Sequence, residues 1–104
     1  MSVKLLMNWD IKPGRDQDYF EFVIHEWVPG VNRLGIETIA AWYTIYSRND
    51  DVAQIMAEAI TEDIEEMRDV LKSAEWQTLH EKLLEYVDNY TQKVVEITNG
   101  GFQL

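Results

Sequence analysis

The chain has 104 residues, 46% of them hydrophobic, a formal charge of -10 and no cysteine. That length fits one domain near the small end of the usual range, and an apolar share including four Trp and five Tyr excludes a disordered chain. The acidic balance argues against nucleic acid and against anionic membrane, both of which are held through Lys and Arg, while the missing cysteines exclude a disulfide framework and thiolate chemistry.

In chain order, residues 3–10 (VKLLMNWD) have the alternation of a strand, ended by Lys12, Pro13 and Gly14. The apolar run here is too short for a signal segment and is followed by Asp10, so the expectation is an unprocessed, cytoplasmic protein. From about Asp16 to Leu34 the spacing predicts a helix with Phe20, Val23, Ile24, Trp27, Val28, Val31 and Leu34 on its inner face, His25 and Phe22 outward, and Gly35 as the stop. Pro29 removes a backbone donor inside that helix, so a bend or break is expected there.

Residues 36–47 (IETIAAWYTIYS) read as a long strand, SRNDD as a turn, and Val52–Ile60 as a third strand. Thr61 is expected to cap a short helix with Ile64, Met67, Val70 and Leu71 inside, and Ser73 to open a second helix reaching about Asp88. Residues 89–97 (NYTQKVVEI) form a fourth strand. The domain therefore spans residues 1–98, with 99–104 as a mobile tail. The order is β-α-β-β-α-β.

Two of the strands indicate how the sheet is covered. The second is apolar on both parities, with Ile39, Ala41, Tyr43 and Ile45 on one face and Ala40, Trp42 and Tyr46 on the other. Two helices cover only one face of a four-stranded sheet, so the other needs a second copy packed sheet to sheet. In the third strand, Ala53, Ile55, Ala57 and Ala59 face the helices; Gln54, Met56, Glu58 and Ile60 face the partner. The expected homodimer interface is thus Trp42, Tyr46, Met56 and Glu58, with Lys4 or Lys93 balancing the carboxylate of Glu58.

The strand followed by IKPGRDQDYFEF, and the later block LKSAEWQTLHEKLLEYVDNYTQKVVEI, resemble the dimeric α/β-barrel superfamily. The first has a Lys-Pro-Gly turn opening a helix; the second is similar to the Ser-x-x-aromatic helix before the last strand of antibiotic-biosynthesis-type monooxygenases and NIPSNAP-like proteins. The resemblance implies an α+β, ferredoxin-like protomer with a four-stranded antiparallel sheet, helices on one face, and a pocket between helices and sheet. It also implies a function among cofactor-independent monooxygenases acting on apolar or aromatic metabolites, binding proteins for such molecules, non-catalytic dimeric domains, and haem-binding or haem-degrading enzymes.

His80 lies on the apolar arc of its helix with Trp76, Leu79, Leu83, Leu84 and Val87, taking about 100° per residue. It is a pocket residue, an axial ligand, or a core histidine with a satisfied hydrogen bond. The spacing Ser73–Trp76–His80 is similar to that of the haem-degrading branch. That branch also uses an Asn on the first strand, where this chain has Met7 with Asn8 displaced to the opposite face, and a Trp after the third strand, where it has Thr61. Trp9, Trp27, Tyr43 and Trp76 are oriented toward the space between helices and sheet, where they either pack as core or hold a flat ligand; Tyr43, read as a buried phenol that needs a partner, or His80 would exchange a proton with that ligand. No metal site or resident cofactor is expected. Calcium loops, phosphate-binding Gly-rich loops, His-x-x-x-His pairs and Gly-x-Ser-x-Gly elbows are absent from the sequence.

Overall fold

Strand β1 (Val3–Ile11) alternates buried and half-buried side chains along its whole length, the signature of a strand whose two faces meet different surroundings. In this computed structural model, which describes residues 2–43 and 53–97, β1 pairs antiparallel with β3 (Ile55–Thr61) on one side and β4 (Val87–Glu96) on the other. Strand β2 (Glu37–Tyr43) pairs with β3, giving the order β2-β3-β1-β4. The predicted β2 residues Ile45 and Tyr46, the SRNDD turn, Val52 and the 99–104 tail lie outside the described residues.

Val3, Leu5, Met7, Trp9 and Ile11 of β1 are buried with Ile55, Ala57 and Ala59 of β3. These residues form the floor beneath helices α1 (Asp16–Phe22), α2 (Val28–Arg33), α3 (Ile64–Lys72) and α4 (Ala74–Leu84). On the opposite face Trp42 and Met56 are exposed. Lys4 there donates to Glu58 at 2.9 Å, with 17% of the Glu58 side chain exposed, so the expected partner Lys4 neutralises this carboxylate on a central strand.

The expected break at Pro29 is a change of helix type. Between α1 and α2 the backbone runs through a π-turn, Val23–Trp27, in which the Val28 N–H donates to the Val23 carbonyl, and Pro29 then sits in the first turn of α2, where its missing N–H costs least. A π-turn inserts one extra residue, so the inner face of α1 is shifted by one position from that extrapolated back from Trp27. Tyr19 and Phe22 are buried, and Phe20 and Ile24 are exposed, 43% and 62%. Phe22, expected outward, stacks on Tyr86 at 5.0 Å. His25 is exposed, as read from the sequence.

Two caps fall as follows. Thr61 ends β3, and Asp63 caps α3 by accepting from the Glu66 N–H at 2.8 Å; the Thr61 hydroxyl instead donates to the Asp63 carbonyl. Ser73 caps α4, accepting from the Trp76 N–H at 3.1 Å. Helix α4 stops at Leu84 rather than near Asp88, because Val87 already pairs with Ile11 as the first residue of β4.

A candidate aromatic ligand site between helices and sheet

The floor of the site is a row across the helix-facing side of the sheet. Trp9 of β1 is opposite Ile55 of β3, which is opposite Tyr43 of β2. On the other side the β1–β4 register shifts between Asn8 and Asp10, and Asn89 adopts a φ of 57°, a left-handed conformation that Asn tolerates better than most residues. This bulge turns Tyr90 to the helix side, where its ring stacks on Trp9 at 5.8 Å. Asp10 anchors it by accepting from the Asn89 side-chain N–H at 3.0 Å.

The roof comes from the helices. Trp27, delivered by the π-turn and 2% exposed, meets Trp9 edge-on at 5.6 Å. Trp76 in the first turn of α4 stacks on His80 one turn later at 5.8 Å, and the His80 ring stands edge-on to Tyr90 at 4.6 Å. Trp9, Trp27, Trp76, His80 and Tyr90 thus form one continuous aromatic layer, with Tyr19 beside it accepting from the Trp9 indole N–H at 2.9 Å.

Not every polar atom in the layer is satisfied. The Trp27 indole nitrogen and the His80 Nδ1 are buried and have no hydrogen-bond partner among the described residues. Leaving such a group unpaired costs about 1–3 kcal/mol, so both are oriented demands on whatever adjoins them. Burial pulls the His80 imidazole below its ordinary pKa of 6.5, against a smaller upward pull from Glu81. Its neutral form, able to accept a proton, therefore prevails at neutral pH. Burial also raises the Tyr90 phenol well above its usual range and Tyr19 to about 12, the latter offset in part by the Trp9 hydrogen bond; both phenols stay protonated near neutrality.

Tyr43 stands apart from this layer. It is on the same face of the sheet, but two strands from Trp9, about 10 Å, and 46% exposed. Its hydroxyl accepts from the Gln54 side chain at 3.1 Å, while Gln54 accepts from the Ile11 N–H and donates its own N–H to Asp10, both at 2.8 Å. Tyr43 belongs to a polar clamp at the end of the sheet, and it is not the buried phenol expected from the sequence.

Haem does not fit these residues. Met7 is buried in the floor and Asn8 lies in a groove on the opposite face of the sheet; the Thr61 hydroxyl is committed to Asp63; and the His80 ring is flanked by Trp76 and Tyr90. Among the described residues no group of three or more His, Cys, Asp or Glu is disposed to hold a metal ion.

The structure places Trp9, Trp27, Trp76 and His80, all singled out from the sequence, in one layer; Tyr90, Tyr19 and Gln54 were not among the residues singled out. Tyr90 was legible in principle, because Asp88-Asn89 is a pair that tolerates the left-handed conformation of a bulge. Tyr19 was concealed by the phase shift of the π-turn.

No known family profile matches the chain, and no curated protein sequence does. Solved structures do match. A NIPSNAP family protein of Agrobacterium tumefaciens is 14% identical, covers 95% of each chain and superposes with a TM-score of 0.73. An Arabidopsis thaliana protein is 15% identical over 92% of this chain and 95% of its own, TM-score 0.78. A Bacteroides fragilis protein described as dimeric, of unknown function and of ferredoxin-like fold is 11% identical over 91% and 95%, TM-score 0.62. The fold is the ferredoxin-like α+β fold these structures share, with four antiparallel strands and helices on one side. No described helix is long and apolar enough to cross a membrane.

Proposed function

We propose that the protein is a homodimeric receptor for an apolar or aromatic small molecule, held in each protomer by the layer of Trp9, Trp27, Trp76, His80 and Tyr90. One observation carries this reading: two buried polar nitrogens, on Trp27 and His80, have no partner among the described residues inside an otherwise aromatic layer, the combination of apolar walls and few oriented polar groups that ligand sites use.

The same layer supports a finer reading, cofactor-independent oxygenation. His80, neutral at physiological pH, takes the proton of a phenolic or enolic substrate. The electron pair left on the substrate carbon forms a C–O bond to dioxygen, and the proton held by His80 returns to the resulting peroxide. The tryptophans hold the ring and exclude water. Tyr43, clamped to Gln54 at the margin of the sheet, keeps at most a proton-exchange role at the rim.

Dimerisation uses the opposite face of the sheet. Trp42 is 51% and Met56 41% exposed, and with Leu6, Asn8, Glu58 and Lys93 they line a groove of about 330 Å³. An exposed apolar patch of this kind marks an interface, and the Bacteroides fragilis protein of the same fold is described as dimeric.

Thermal unfolding with a panel of naphthyl ketones, naphthols and quinones tests the receptor. A ligand at about ten times its Kd adds about 1.4 kcal/mol, a rise of several degrees for a chain of this size. His80→Phe should melt within a few degrees of the parent and lose most of the ligand-induced rise. A panel that shifts nothing would leave a dimeric domain whose aromatics only pack.

A further inference from the structure

We infer that Trp27 selects among ligands by their oxygen acceptor, favouring neutral aromatic molecules with a carbonyl or ether oxygen over hydrocarbons of the same shape. This inference rests on the reading of the aromatic layer as a ligand site and adds to it the chemistry that site demands.

Pro29 cannot donate to the carbonyl one turn earlier, and the chain meets this with a π-turn over Val23–Trp27. A π-turn carries one residue more than an α-turn, and such turns recur at functional sites. Here the last residue of the turn is Trp27. Just beyond it, Gly30 packs against Leu79 so tightly that a Cβ would lie 2.8 Å from a Leu79 methyl. This close approach ties α2, which follows directly on Trp27, to the part of α4 that carries His80, and the Trp27 indole meets Trp9 edge-on.

The contrast with Trp9 is informative. Both indoles are buried, 1% and 2% exposed; the Trp9 N–H has the Tyr19 hydroxyl, whereas the Trp27 N–H has no acceptor among the described residues. An indole N–H only donates, so its missing partner is an acceptor. Glu26, next to it in the π-turn, is exposed and paired with Lys82 at 3.7 Å, but Glu81 beside His80 and the net charge of -10 oppose a carboxylate. A neutral oxygen is what remains.

The test compares methyl naphthyl ketone with isopropenylnaphthalene, in which a C=CH₂ group replaces the C=O with nearly the same shape. Calorimetric titration of the intact protein should find the ketone bound about 2- to 10-fold more tightly, the range of one neutral hydrogen bond. Trp27→Phe should bind both with about equal affinity. In N–H correlation spectra of the parent protein, the ketone should move the Trp27 indole proton downfield and the alkene should not, while the Trp9 proton, held by Tyr19, shows no such difference. This spectrum decides the matter even if the variant fails to fold. Equal affinity in the parent, or a ketone preference that survives Trp27→Phe, overturns the inference and leaves the receptor standing. Binding of neither molecule overturns both.

Discussion

Replacing Tyr19 with Phe removes one oxygen from the protein and leaves the Trp9 indole N–H, now bonded at 2.9 Å, without an acceptor in a position 1% exposed. The ring and its packing are retained, so the cost is mainly that of the orphaned donor, about 1–3 kcal/mol. A second consequence concerns alkaline pH. The Tyr19 phenol is raised from 10.0 to about 12 in the folded chain, so the unfolded chain loses this proton first. Stability contributed by Tyr19 is complete below pH 10 and is lost as pH rises from 10 toward 12. Tyr19→Phe should therefore be less stable at neutral pH yet fall less steeply in that alkaline window, retaining only the share due to Tyr90, whose phenol is also raised. Urea unfolding at fixed protein concentration, at neutral pH and at several alkaline values, measures both arms. A variant within about 0.5 kcal/mol of the parent at neutral pH, with an unchanged alkaline slope, would refute the Trp9–Tyr19 bond as a structural element.

Asp63→Ala should destabilise the protein by about 1 kcal/mol, because it leaves the Glu66 N–H uncapped at the start of α3, whereas Thr61→Val should not reproduce a cap loss. Trp42→Asp places charge on the exposed face of the sheet and should shift the protein toward monomer by at least tenfold in dissociation constant, read by sedimentation equilibrium. On the acid side, the depressed pKa of His80 means the unfolded chain binds its proton first, so its share of stability is present above about pH 6.5 and is lost as pH falls below it. The difference in unfolding free energy between the parent and His80→Phe should change in that direction, and a flat difference between neutral pH and about pH 5 would contradict the burial of this ring.

The succession of strands and helices was legible, and so were the two faces of the central strands, because side-chain alternation has a fixed period of two. The alanines and Ile55 of β3 fell under the helices and Met56 on the opposite face, as that period requires. The helical phase of α1 was not legible, since a period of 3.6 extrapolated through a π-turn is wrong by one residue on its far side. That one residue exchanges Tyr19 and Phe22 for Phe20 and Ile24. Alternation failed in the same way in β4, where the bulge at Asn89 decides that Tyr90 faces the helices. The candidate site draws on both of these local departures. Helical and strand orientation put Trp9, Trp27, Trp76 and His80 on the helix side, where the structure has them, while the neighbours that complete the layer were concealed by insertions in a helix and a strand.

The four tryptophans divide between the two faces of the sheet, with Trp9, Trp27 and Trp76 buried beneath the helices and Trp42 exposed on the other side. The most direct measurement of a helix-side ligand site is a titration of their indole N–H resonances with the panel member that raises the melting temperature most. The resonances of Trp27 and Trp76 should shift and saturate together with the His80 ring, while Trp42 stays in place. Saturable shifts at Trp42 with Trp27 and Trp76 unmoved would put the ligand on the wrong face of the sheet and contradict the site.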